Sequence, residues 1–449
     1  MGTVKGLDIG RRAITTSLNA VNNAGQNIAS VNSPGYSRRI IDSKVVAYGS
    51  GEAISVQQTH RVRDKFIDQS IRTENQSLGK WDMQSILYRQ VEDVFLEPSE
   101  HGLNDALSGF WNSWEDLASN PYESAPRSVV VQQGIVVAQS INQLDSQLTE
   151  LRRTSDNYIG DRIIKVNDLA DRIGELNVRI VATEASGKEA SDARDNRDLL
   201  IDEMSRMVNT HVIEREGGSI AVFVGGRTIV DDATVVHLEA KRVASGNMMV
   251  SELVWEDDAT SANINNGEIA GLMQMRDEII TGVMAKMDQL AATLITEVNA
   301  IHRTGYGSNG ATNIDFFTGT SASDMAVNDE IVGNMANVAA SENDEPGSNG
   351  VARAMAELAN ANVAPGAITI GAFYSSTVNL LGTRAQSANM MRDNSEMLVA
   401  GLKEQRESVS GISLDEETAN LIRFQRAYES AAHYISVVDE LLASLIEIV

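Results

Sequence analysis

The sequence predicts a mainly α-helical, elongated, multidomain protein in which a small antiparallel β unit is inserted and the two chain ends pair as a coiled coil. Three observations predict it. Both ends carry apolar residues at strict seven-residue spacing, apolar residues at helical spacing fill most of the chain between them, and from about Val208 to Trp255 the period changes from 3.6 to 2.

At the C-terminal end Leu414, Leu421, Tyr428, Ile435, Leu442 and Val449 fall on one seven-residue repeat, and Phe424, Ala431, Val438 and Leu445 follow the middle four by three residues. This is an a/d seam in which the first d position, Glu417, is the polar exception. Ser413 offers an N-cap, with Asp415 and Glu416 in the first turn. The helix it predicts is about 35 residues and roughly 50 Å long, and a seam of that length needs a partner.

The start of the chain supplies one. Leu7, Ile14, Val21 and Ile28 are spaced by sevens, with Leu18, Ala24 and Val31 thickening the stripe. Residues 1–39 carry Lys5, Arg11, Arg12, Arg38 and Arg39 against Asp8, whereas residues 411–449 carry seven acids against Arg423 and Arg426. Opposite charge favours pairing of the ends with each other. Ile422, Val437, Leu441, Ile446 and Ile448 lie off the seam, so a second apolar face is expected to meet other chains.

Composition narrows the classes further. The 449 residues hold 37 basic and 62 acidic side chains, a net charge of −25, and no cysteine. Such an acid excess argues against a nucleic-acid surface, which needs clustered Lys and Arg. Disulfides and thiolate sites are excluded. Residues 1–30 lack the continuous apolar core of a cleaved signal, and no window approaches 18 apolar residues, so no membrane insertion is expected.

Along the chain, Pro34-Gly35 suits a type II turn and ends the first helix near Asn32. Residues 40–60 alternate around Gly49-Ser50-Gly51 as a short hairpin or extended linker. Helices are expected from Arg61 to Leu96 and from Arg127 to Val181; Trp111 and Trp114, at i and i+3 between them, read as helix packing. The next helix opens on Asp192, Arg194, Asp195, Arg197 and Asp198, whose alternation reads as a solvated, salt-bridged face. Strands with Gly-Gly and Asp-Asp turns follow, then a helix from Gly267 to His302. Residues 303–350 read as irregular, with Phe316-Phe317 their one strongly apolar point; helices at 351–360 and 373–405 precede the last one.

Chemistry-bearing patterns are missing. The six histidines form no i, i+3 or i, i+4 pair, and no phosphate loop or nucleophile elbow occurs. No cofactor or metal, and no enzymatic activity, is expected.

Two phrases carry a resemblance. Asn27, Asn32, Pro34, Gly35, Tyr36 and Arg38 form an Asn-rich helix end, a Pro-Gly-Tyr turn and an Arg; Leu414-Asp415-Glu416-Glu417, followed by Ala419-Asn420-Leu421-Ile422, closes the chain. Both are similar to the bacterial flagellar axial proteins of rod, hook and hook-associated type. Asn196 to Leu200, Asn299 to Arg303 and Asp315 to Gly319 resemble the hook-associated branch that joins hook to filament. The resemblance implies a structural protein exported through the flagellar type III apparatus without cleavage and located outside the cell, with a hook or distal-rod protein as the alternative. It implies pairing of 1–39 with 411–449 as an inner layer, a helical second layer at 40–207 and 262–410, an inserted β domain at 208–261 and an irregular outer region at 303–372. The partners it implies are about eleven copies of the chain itself in one ring, hook protein, a second hook-associated junction protein, and an export chaperone on the C-terminal helix.

Overall fold

The computed structural model describes residues 2–48, 52–95, 102–246, 248–343, 345 and 347–448. Helix α1 (Gly2–Ala29) ends one turn earlier than expected, and Tyr36 N–H donates to Ser33 O at 3.2 Å to close the turn. Gly35, at φ +77°, takes the position that requires a left-handed backbone. The alternating segment forms a hairpin, β1 (Arg39–Tyr48) against β2 (Glu52–Arg61), with Arg39 opposite Arg61; its tip lies outside the described residues.

Helices α2 (Lys65–Phe95), α3 (Leu103–Ser119), α4 (Ser124–Glu184) and α5 (Ser191–Met207) follow. Asp64 caps α2 by accepting from the N–H of Phe66 at 2.8 Å. The 61 residues of α4 span about 90 Å. Its apolar row, from Val130 through Ile141, Leu148, Ile159 and Val166 to Ile173, is fully buried and serves as the spine of the core. Trp111, Trp114, Phe110, Phe316 and Phe317 meet in tilted and edge-to-face contacts beside it, so the two Trp residues do pack in the core.

Strands β3 (Thr210–Glu214), β4 (Ile220–Val224), β5 (Arg227–Asp231) and β6 (Thr234–Val235) form an antiparallel sheet in sequence order, and β7 (Leu238–Ser245) pairs with β8 (Met248–Trp255) in a second one. Polar side chains of α4 stitch both sheets to it. Asn177 donates to Ile220 O at 3.0 Å and Asp232 O at 2.8 Å, Asn167 donates to Leu238 O at 2.9 Å, and the Asp156 carboxylate accepts from Ser251 N–H at 2.7 Å. Val222, Val224, Ile229, Val230, Leu253 and Trp255 join the same core cluster as the helices.

The helix expected from Gly267 to His302 is continuous but changes pitch: α6 (Gly267–Gln274) passes through a π turn (Met275–Ile280) into α7 (Thr281–His302). The π turn aims Arg276 inwards, where Nη1 meets Asp156 at 2.6 Å and Ser251 O at 2.8 Å.

Residues 303–350, expected to be irregular, are nonetheless packed. They hold only short elements, β9 (Phe317–Thr318), β10 (Ala326–Val327) and α8 (Asp329–Gly333), yet Phe316, Phe317, Ala322, Met325, Ile331 and Val338 are buried. Side chains of α7 replace a ladder. Asn299 accepts from the N–H groups of Phe316 and Phe317, each at 2.9 Å, and donates to Phe317 O at 2.7 Å; His302 donates from Nδ1 to Ile314 O at 2.7 Å and accepts from Ala339 N–H at 2.9 Å. Helix α9 (Gly350–Glu357) leads to α10 (Ile370–Ser410), which lies along α2, and α11 (Leu414–Ile448) lies along α1.

Candidate assembly site at the paired chain ends

The two ends pair, but the line of closest approach differs from the predicted stripe. On α1 the buried positions are Gly10, Ser17, Ala20, Ala24 and Asn27, whereas Leu7, Ile14, Val21 and Ile28 are half-buried at its margins. On α11 the buried positions are the d row, Glu417, Ala431 and Val438; Leu421, Phe424, Ile435 and Leu442 are half-buried. Leu414 and Tyr428, expected in the seam, are 49% and 39% exposed. Small side chains on α1 cause the shift: they let the backbones approach along the Gly10–Ser17–Ala24 line, and the larger residues straddle it. The side chain of Leu445, and Val449 as a whole, lie outside the described residues.

Among the described residues, charge complementarity joins the two helices at one end of the pair. Arg11 and Arg12 bind Asp8 on their own helix, at 3.1 and 2.8 Å, instead of reaching α11. Arg38 does cross, with Nε 2.9 Å from Glu417 Oε1 and Nη2 3.1 Å from Glu416 Oε2.

That end is built around Asn27, which is fully buried. Its Nδ2 donates to Arg39 O at 3.0 Å and to Glu417 Oε2 at 3.1 Å; its Oδ1 accepts from Tyr36 Oη–H at 2.9 Å and from Arg39 N–H at 3.1 Å. All four hydrogen-bonding positions of the amide are used. Arg38 N–H donates to Ser410 O at 3.0 Å, so the Pro-Gly-Tyr turn joins α1, α10 and α11. Among the motif residues, Asn27, Tyr36 and Arg38 are thus brought together, Gly35 shapes the turn against Leu199, and Asn32 and Pro34 are exposed. Glu417 stood out in the sequence as a polar d position; its partners did not.

The acid-rich start of α5 corrects a further expectation. Asp192, Asp195, Asp198 and Asp202 lie on one helix face; Asp192 is exposed, but Asp195, Asp198 and Asp202 are covered instead of solvated. Asp195 accepts from Ser37 Oγ at 2.8 Å and Arg61 Nη1 at 2.8 Å; Asp198 meets Arg61 at 2.9 Å, Arg72 at 3.1 Å and Arg63 at 3.3 Å; Asp202 takes Arg72 and Arg406, both at 2.9 Å. Arg39 reaches Asp192 at 2.5 Å and stacks 4.7 Å over the ring of Tyr36. Burial raises the cost of ionising Asp198, yet the guanidiniums of Arg63, Arg72 and Arg61 outweigh it and hold its pKa at about 2. The signal overlooked was distributed: Arg38, Arg39, Arg61, Arg63 and Arg72 punctuate the hairpin and α2 at separations no local pattern links to α5.

The arrangement is a joint that fixes a helix pair to a helical body. Among the described residues no group of three or more His, Asp or Glu side chains could hold a metal ion, and no helix is long and apolar enough to cross a membrane.

Comparison with known proteins agrees with that geometry. The model of the flagellar hook-associated protein FlgK helical domain matches residues 88–317, just over half of the chain, and that of the flagellar basal body rod FlgEFG protein C-terminal region matches residues 403–448. Flagellar hook-associated protein 1 of Bacillus subtilis (strain 168) is 28% identical over 99% of this chain and 98% of its own length; that of Salmonella typhimurium (strain LT2) is 24% identical over 98% of each. The solved structure of the flagellar hook junction protein FlgK from Burkholderia pseudomallei superposes with a TM-score of 0.66 at 12% identity, covering 76% of this chain and 100% of the other. The helical body, the closing C-terminal helix and the near full-length likeness together show that the chain belongs to the flagellar hook-associated protein FlgK family.

Proposed function

We propose that the chain is a structural subunit of the bacterial flagellum at the junction between hook and filament, joined to its neighbours through the paired ends. The observation that carries this reading is the unpartnered apolar face of the pair. Ile422, Tyr434, Val437 and Leu441 of α11 are all 40% or more exposed, an apolar face the pair itself leaves uncovered. Covering that face with copies of the chain in a ring of about eleven, with hook protein on one side and a second hook-associated junction protein on the other, removes it from water.

The role is mechanical, without catalysis. Export through the flagellar type III apparatus, with a chaperone on the exposed face of α11 before assembly, supplies the route out of the cell and prevents premature association. The pair of 1–39 with 411–449 forms the inner layer in this reading, residues 40–207 and 262–410 the second layer, residues 208–261 a β insert and residues 303–372 its irregular flank. The likeness of residues 403–448 to rod proteins favours one alternative, a hook or distal-rod subunit.

Deleting the gene and viewing the flagella by electron microscopy separates them. Bare hooks, with filament subunit released into the medium, are the expected result. Missing hooks would move the subunit into rod or hook, and normal filaments would overturn both readings.

A further inference from the structure

Gly6 faces Val438 and Asn27 faces Glu417, three heptads apart on either helix (27 − 6 and 438 − 417), so one antiparallel register runs through the pair. Its apolar part constrains that register at one point, where Gly10 meets Ile435. The line Gly6, Ala13, Ala20 repeats every seven residues with small side chains, and the line it faces, Val438, Ala431, Phe424, repeats every seven with apolar ones. Sliding either helix by one heptad again sets small against apolar along these lines, the exception being Gly10, which leaves Ile435.

One contact on this seam occurs once. Asn27 and Glu417 are both buried, and a slip one way sets Glu417 against Ala20, whereas a slip the other way sets Asn27 against Phe424. Either displacement strands a buried amide or carboxylate without its partner, the penalty by which a single buried polar position selects coiled-coil register. Arg38 strengthens the selection, since its Nε–H donates to the same carboxylate from outside the pair.

We infer that the Asn27–Glu417 contact, with Arg38 behind it, sets the register of the terminal helix pair and thereby decides which α11 side chains face outwards. The inference rests on reading the chain ends as the assembly element, but its test does not, because register is read in the isolated full-length protein.

The natural chain has no cysteine, so engineered pairs report without background. Gly6→Cys with Val438→Cys reports the native register: a Cβ at residue 6 stands 3.6 Å from the Val438 methyl groups. Gly6→Cys with Ala431→Cys, and Ala13→Cys with Val438→Cys, report the two slipped registers; in the native one these sites are offset by about 10 Å, beyond disulfide reach. With Glu417 in place only the native pair closes under mild oxidation. In Glu417→Leu, and separately in Asn27→Leu, the ratio of native to slipped cross-link falls by about tenfold or more. Native-only closure at unchanged yield in both variants overturns the inference. So does loss of all three cross-links together, the mark of a pair that has melted instead of slipping. A chain locked in native register that still builds no junction would count against the assembly role and leave this inference standing.

Discussion

A Cβ placed on Gly10 would stand 2.4 Å from Cγ1 of Ile435, closer than any real contact. The α1–α11 pair therefore needs glycine here for its spacing. Gly10→Val should push the helices apart and weaken the pair by about 1–3 kcal/mol, as overpacking does. Amide exchange in residues 6–24 and 428–442 of the monomer should accelerate while α4 and α7 keep their protection. Gly25, which has nothing within 4 Å, is the control: Gly25→Ala should leave exchange in the pair equal or slower.

Asp198 collects three guanidiniums, so Asp198→Asn leaves Arg61, Arg63 and Arg72 sharing fewer acids. Asp68, Asp195 and Asp202 stay in place and soften the loss. Destabilisation of roughly 3 kcal/mol, the low end for breaking a buried pair, is expected in urea unfolding. Its native pKa of about 2 lies below that of the unfolded chain, so this contribution is present above about pH 4 and is lost as pH falls towards 2. The natural chain should show that acid limb, and Asp198→Asn should lack about 2 kcal/mol of it.

His302 adds a second acid-sensitive contribution, in a higher pH window. Burial pushes its pKa down to about 4, outweighing the hydrogen bond to Ile314 O, which favours the protonated ring; Nε2, accepting from Ala339 N–H, stays unprotonated. Once pH drops below about 6.5 the unfolded chain binds a proton that the native chain refuses, so stability falls with acid down to about pH 4, by roughly 3 kcal/mol in all. His237, whose pKa is raised by its bond to Asp171, opposes this on the surface. The difference in urea midpoint between the natural chain and His302→Asn should shrink steadily from pH 7 to pH 5; a constant difference would contradict the assignment.

The outward face of α11 separates folding from assembly. Ile422 and Leu441 are 47% and 55% exposed, so Ile422→Asp with Leu441→Asp should leave the monomer's melting temperature within about 2 °C of the natural chain, as surface changes do. In cells carrying that variant, electron microscopy should find hooks without filaments. Normal filaments would show that this face has no role in building the structure.

The helical class, the β insert, the paired ends and the Pro-Gly-Tyr turn were legible in the sequence because each is written in local spacing or turn chemistry. The true seam was less so: heptad reading favours large apolar residues, and closest approach is set by Gly10, Ser17 and Ala24, whose smallness carries no hydrophobic signal. The α5 cluster was misjudged because Asp195 and Asp198 find their arginines more than 120 residues away, and an acid–Arg alternation looks the same solvated or covered. The packing of residues 303–350 went unread because their order comes from Asn299 and His302, which fold an irregular segment without leaving any periodicity in it.

Helix α4 gives the body a property beyond packing. An unbroken rod of about 90 Å, in contact with α2, α3, α5 and α7 and with both sheets of the insert, cannot bend without disturbing all of them together. Strain applied across the molecule therefore concentrates in residues 30–38 and 411–413, the two short strands of chain that form the neck between rod and terminal pair. The body acts as a lever and the neck as its fulcrum, with the arginine–aspartate joint setting how far the lever swings before a bond gives way.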